Sequence, residues 1–166
     1  MGQSSGRTFD IRHELRPGDL GMVIHLHGVL YAREYGLDTT FEPYVAKPLA
    51  DFVLAGAGRL WIAEEGGRVI GSIAVVDAED GVGQFRWFLL TPEARGTGLG
   101  RRLLDTALTY CRERGMHRVF LWSFAQLDDA LRLYERAGFQ ITKTNKTRLW
   151  GAERTEVRMD LEIGTR

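Results

Sequence analysis

Ala94-Arg95-Gly96-Thr97-Gly98-Leu99-Gly100-Arg101-Arg102-Leu103 separates an apolar, strand-like stretch from a long amphipathic one, and its reading decides the fold. Three glycines at alternate positions let successive backbone N–H groups point into one concavity. A helix starting at the last of them adds the positive end of its dipole. The stretch therefore reads as an anion-binding turn, where a phosphate-bearing molecule docks.

Hydrophobic period organises what surrounds it. Downstream, Leu103, Leu104, Ala107, Leu108 and Cys111 trace one helical stripe, with Arg101, Arg102, Asp105 and Arg112 off it, until Gly115 ends the helix. Upstream, Gln84 to Leu90 reads as a strand leading into the turn. Before that, Leu60 to Ala63 and Val69 to Val76 flank Glu65-Gly66-Gly67, which predicts a β-hairpin. Thr8 to His13 reads as a short first strand. Two helices follow it, from about Leu20 to Tyr35 with Asp19 as N-cap, and from about Thr40 to Leu54, where Pro43 suits the first turn and Pro48 is a source of a kink.

Beyond the amphipathic helix, the almost wholly apolar Arg118 to Trp122 predicts a strand covered on both faces. Leu127 to Ala137 reads as a helix opened by Asp128 and Asp129 and closed by Gly138. Phe139 to Thr144 and Glu156 to Ile163 complete the chain as strands, the second turning Val157, Met159, Leu161 and Ile163 inward. The order β-αα-βββ-α-β-α-ββ predicts an α/β (α+β) fold, one mixed sheet with helices on both faces.

The 166 residues fit a single domain over 8–166 behind a loose N-terminal end, 1–7. Twenty-two basic side chains balance 22 acidic ones, so no global field favours nucleic acid or a membrane surface as partner. The one cysteine excludes an internal disulfide framework and makes the cytoplasm the expected compartment. No apolar run approaches the roughly 18 residues of a membrane span. Met1-Gly2 with Ser5 touches the myristoylation pattern too loosely to carry weight.

Three phosphate-binding devices compete for the glycine turn. A nucleotide P-loop requires G-x-x-x-x-G-K-[ST], and no lysine or hydroxyl follows Gly100. A dinucleotide fingerprint requires G-x-G-x-x-G at the first strand-to-helix junction, whereas the spacing here is G-x-G-x-G at a later one. The third is Arg95-x-x-Gly98-x-Gly100, after a strand and opening a helix, with Leu133-Tyr134-Glu135-Arg136-Ala137-Gly138-Phe139 further on. In these segments, and in its element order over 8–163, the chain resembles the GNAT superfamily of acyl-CoA-dependent N-acyltransferases. More narrowly, Arg16-Pro17-Gly18-Asp19-Leu20-Gly21 and Leu30-Tyr31-Ala32-Arg33-Glu34-Tyr35-Gly36 resemble the acetyltransferase half of proteins that fuse a MarR-type DNA-binding domain to a GNAT domain. No DNA-binding half fits beside it.

The resemblance implies a coenzyme site and a reaction. It implies that the turn, Arg95 through Arg101 (Arg95, Gly96, Thr97, Gly98, Leu99, Gly100, Arg101), holds the pyrophosphate of acetyl-CoA as co-substrate. The backbone at Phe88, Leu89 and Leu90 would pair with the pantetheine arm and polarise the thioester. Tyr134 matches the tyrosine that protonates the coenzyme sulfur; the alternative is a tyrosine packed in the core. Where many members carry asparagine, this chain has Leu127.

The acceptor side is less legible. A lysine amine is under about 0.1% neutral at pH 7 and an α-amine roughly 10%, so an α-amine needs less help from a base. Gln84 to Phe88 contain no carboxylate, which leaves Glu34, Glu64, Asp77 or a water relay from His27 as candidate bases. Arg86, in an otherwise apolar strand, can fork onto a substrate carboxylate or stand as an exposed cross-strand charge. His27, Tyr31, Glu34 and Tyr35 share one helical face. By resemblance it is the acceptor wall, with His27 and Tyr31 as pocket residues and Trp122 at a strand end beside it. His25 and His27 point apart on a helix, which argues against a metal site. Cys111 reads as a buried, inert thiol.

These readings converge on an enzyme that moves acetyl from acetyl-CoA directly to a primary amine, of a small amino acid or similar metabolite, without metal or covalent intermediate. A non-catalytic acyl-CoA sensor and a protein or peptide N-acetyltransferase are the alternatives. The resemblance also allows a homodimer.

Overall fold

A computed structural model describes residues 6–164. The loose end expected for 1–7 falls mostly outside them; within them, Arg7 pairs with Glu65 at 2.7 Å. The chain runs β1 (Asp10–Arg12), α1 (Asp19–Tyr35), α2 (Phe41–Ala55), β2 (Gly58–Glu65), β3 (Arg68–Asp77) and β4 (Val82–Leu90). A 3₁₀ turn (Pro92–Ala94) then leads to α3 (Leu99–Glu113), β5 (Arg118–Phe124), α4 (Asp128–Arg136), β6 (Gln140–Leu149) and β7 (Ala152–Glu162). This is the predicted order. The seven strands form one sheet, β1-β2-β3-β4-β5-β7-β6, antiparallel except where β4 meets β5.

Two cores sandwich the sheet. On one face the α3 stripe of Leu103, Leu104, Ala107, Leu108 and Cys111 is buried against Ile73, Val75, Phe85, Val119 and Leu121. On the other, Val23 of α1 and Phe41, Val45, Leu49 and Phe52 of α2 pack on Leu60, Ile62, Ala74 and Trp87. The Gly66-Gly67 turn closes the β2–β3 hairpin with both residues at positive φ, 57° and 78°, as a two-residue turn of this twist requires.

Four local readings change. Gly18 at φ 96° caps α1, and Asp19 lies inside its first turn, where its carboxylate accepts from Arg12 and from the Arg16 N–H at 2.7 Å. Pro48 does not interrupt α2. β5 alternates: Val119, Leu121 and Ser123 are buried, while Phe120 and Phe124 are half-buried and Trp122 is exposed. Its second face opens on a cavity rather than on a helix. β6 runs to Leu149 and β7 begins at Ala152, longer than predicted, because the polar run Gln140 to Leu149 is a sheet edge that shows no apolar alternation.

Candidate active site

The parallel pairing of β4 and β5 covers only Val82–Phe85 against Arg118–Leu121. Beyond it the strands part, and a bulge in β4 accompanies the divergence. Trp87 takes φ 49°, and the register with β3 slips between Ser72 and Ala74, so Trp87 and Phe88 together oppose Ile73. A tryptophan at positive φ costs about 1–3 kcal/mol. Ser72 Oγ steadies it by donating to the Trp87 carbonyl at 2.6 Å, and the indole packs 5.4 Å from the Phe52 ring. The bulge frees one edge of β4: Leu89 and Leu90 pair with Ser72 and Gly71 of β3 on one side, and among the described residues no strand pairs with them on the other.

The glycine turn lies at the mouth of this opening. Gly96 and Gly98 take φ 71° and 86°. Among the described residues, the N–H groups of Gly96, Thr97, Gly98, Gly100 and Arg101 make no hydrogen bond, and they sit at the positive end of α3. Thr97 Oγ1 donates to the Ala94 carbonyl at 2.6 Å and receives the Leu99 N–H at 3.4 Å, which fixes the curve from within. Leu99 and Gly100 are buried. A Cβ on Gly100 would come within 3.1 Å of Leu90 Cδ1, so this third glycine serves close packing of α3 on β4 rather than the concavity.

Arg95 does not reach for an anion with its side chain. Its guanidinium forks onto Glu34 of α1 and donates to the Leu90 carbonyl at 3.2 and 3.1 Å. The pairing holds the Glu34 carboxyl below its ordinary range, which makes it a poor proton acceptor. Arg101 is exposed and pairs with Asp105 one turn on, at 3.7 Å.

Between the diverging strands and the α1–α2 layer lies a cavity of about 290 Å³. The sequence-predicted His27, Tyr31, Arg86, Phe88, Trp122 and Tyr134 all line it. Tyr134 is buried between Phe88 and Phe139, ring centroids 5.9 and 5.8 Å away, and burial pushes its phenol well above the ordinary range. Its hydroxyl is not tied to the backbone among the described residues. His27 is buried and stacks 5.8 Å from Tyr31. Its Nδ1 lies 2.7 Å from the Val23 carbonyl, which can only accept, so Nδ1 carries the proton and Nε2 is bare in the neutral ring. Desolvation pushes the imidazole down to about 4 and the Tyr31 phenol up to about 12. Arg86 lies over the Trp87 ring at 4.5 Å and, among the described residues, makes no ion pair.

The other candidate bases lie elsewhere. Glu64 is bound to Arg12 and Arg16 beside β1, and Asp77 faces Arg114 at 3.6 Å. His25 is exposed where His27 is buried. Cys111 is buried in the α3 core, and desolvation pushes its thiol up to about 12.

Further lining residues were not expected there from sequence, Trp150, Phe124 and Glu156 among them. Trp150, at φ 52° in the tight β6–β7 turn with Gly151, swings into the cavity and meets Phe41, Tyr44 and Phe124 at centroid distances of 5.0, 4.8 and 5.4 Å. The Trp-Gly dipeptide between two strands was the available signal. Phe124 and Glu156 enter as register partners across β5 and β7, and a long-range register leaves no local trace.

Comparisons with known proteins point to one family and one fold. Residues 27–139 match the family model described as Acetyltransferase (GNAT) family. The uncharacterized N-acetyltransferase YjgM of Escherichia coli is 32% identical over 114 residues, covering 64% of this chain and 68% of that protein. N-acetyltransferase family 8 member 2 of Rattus norvegicus is 33% identical over 111 residues, 60% of this chain and 49% of the relative. The chain thus spans about half the length of such mammalian relatives. The solved structure of yncA from Salmonella typhimurium, with its cofactor acetyl-CoA, superposes with a TM-score of 0.70 over 95% of each chain at 22% identity, a likeness of fold.

Proposed function

The chain belongs to the GNAT acetyltransferase family, and from that premise we propose that it moves an acetyl group from acetyl-CoA directly to the primary amine of a small amino acid or similar carboxylate-bearing metabolite. The observation that carries this reading is the run of unbonded N–H groups at the start of α3, opening beside the freed edge of β4. The first meets a pyrophosphate with aligned donors and a helix dipole. The second offers backbone N–H groups to the pantetheine arm and to a thioester oxygen as it becomes an oxyanion.

Tyr134 lines the same cavity, its ring 5.9 Å from that of Phe88 on β4. Its raised phenol stays protonated at neutral pH, the form needed to hand a proton to the departing coenzyme sulfur. His27 and Tyr31 form the acceptor wall, and Arg86 supplies a desolvated guanidinium for the carboxylate. Arg16–Gly21 and Leu30–Gly36, which resemble the acetyltransferase half of MarR-fused proteins, lead into and close α1, so this reading assigns them to the acceptor side.

Calorimetric titration with acetyl-CoA and with S-acetylpantetheine tests the site. The reading expects affinity to collapse when the nucleotide and pyrophosphate are removed; equal affinities would contradict it.

A further inference from the structure

Arg86 and Glu156 place opposite charges on the wall of one cavity and make no ion pair with each other. Both belong to the sheet face that carries α1 and α2. Arg86 follows Phe85, whose partner is Leu121, and so stands alongside Trp122; Glu156 is the partner of Phe124, two residues further along β5. Two strand spacings across the sheet and two residues along it, roughly 12 Å of backbone in all, separate them, and more where β4 diverges.

Each charge is half-buried and, among the described residues, has no ion-pair partner. Arg86 has the Trp87 ring beneath it and no acidic partner. Glu156 has basic neighbours on its own face of β7, and both are spent elsewhere: Arg158 forks onto Asp160 at 2.9 and 2.8 Å, and Arg154 donates to the Tyr35 carbonyl at 3.2 Å. An arginine and a glutamate drawn into one cavity wall are ordinarily paired within a protein. Here the two halves of a pair face one cavity with room for a molecule between them.

We propose that Glu156 receives the acceptor's ammonium while Arg86 holds its carboxylate, so that the cavity takes free amino acids with apolar side chains. This rests on the acetyl-transfer reading above. Glu156 lies toward the end of the cleft where Phe88 and Tyr134 sit, and Arg86 lies one step back, so the nitrogen is presented to the thioester and the carboxylate is held away from it. Trp122, Tyr44 and Trp150 offer the side chain aromatic walls. The ammonium gives one proton to Glu156, which is open enough to pass it to solvent. The nitrogen then bonds the acetyl carbon as the carbon–sulfur bond breaks. Tyr134 protonates the sulfur and recovers its proton from the newly bonded nitrogen.

The test compares L-amino acids with the amines that lack only their carboxylate, by thiol release from acetyl-CoA. Apolar amino acids are expected to exceed their carboxylate-free amines by at least about 30-fold in kcat/KM, as for a desolvated charge pair. Arg86→Gln should collapse that ratio toward one. Glu156→Gln should lower kcat/KM for the amino acid by a similar factor, with Glu156→Asp falling between it and the wild type, and calorimetry with acetyl-CoA shows whether each variant is folded. Carboxylate-free amines used as well as amino acids, or Glu156→Gln at the wild-type rate, would overturn the proposal. The ratio needs no variant and stands even where a substitution impairs folding. Coenzyme binding with no transfer to any amine would instead overturn the acetyl-transfer reading beneath it.

Discussion

Tyr134 is buried in the core and lines the cavity proposed as the reaction centre, held by Phe88 and Phe139, and among the described residues its hydroxyl makes no hydrogen bond. Tyr134→Phe keeps this packing and removes the proton. It should lower kcat by roughly 10- to 1,000-fold while leaving the melting temperature close to wild type; an unchanged kcat would remove Tyr134 from its role. His27 has a signature of a different kind. The unfolded imidazole binds its proton near 6.5 and the buried one near 4. Between those values the unfolded chain holds more protons, so stability falls as the pH is lowered from 6.5 to 4. Asp19 and Glu34, whose carboxyls Arg12 and Arg95 hold low, extend the loss at more acid pH. Melting curves across this range should decline less steeply for His27→Gln than for the wild type.

At the scale of elements, the turn and the bulge set the geometry. Gly98 and Gly100 do different work: the first curls the backbone, the second lets α3 approach β4. Gly100→Val forces side-chain bulk against Leu90, Phe88 and Leu133, and should destabilise by about 1–3 kcal/mol. Because it also shifts the start of α3, acetyl-CoA affinity should fall with it; calorimetry would show a rise in Kd. The turn, the α3 stripe and the hairpin were legible because each is written in local residues: glycine spacing, a helical period, a Gly-Gly pair. The bulge at Trp87 was not, since a tryptophan in αL is imposed by the register with β3 rather than by its own preference. The length of β6 was hidden for a related reason. An edge strand needs no buried face, so the polar run that carries Lys146 and Arg148 fell outside the predicted Phe139 to Thr144.

At the scale of the molecule, two halves meet at one cavity. In the proposed reading β4, the glycine turn and α3 are the donor side, while α1, α2 and the β6–β7 turn close the cavity from the other, and the Arg95–Glu34 pair ties the turn to α1. The proposed donor side could be read from one stretch of sequence; the proposed acceptor side draws on residues as distant as Arg86, Trp150 and Glu156, and only the fold brings them to one cavity. The central claim is acetyl transfer at that junction. Its most direct test is mass spectrometry of the products when the protein is given acetyl-CoA and a panel of free amino acids, with released thiol measured alongside. The account predicts one thiol released for each N-acetylated amino acid formed. Tight acetyl-CoA binding with neither thiol nor acetylated amine, for any acceptor offered, would contradict it.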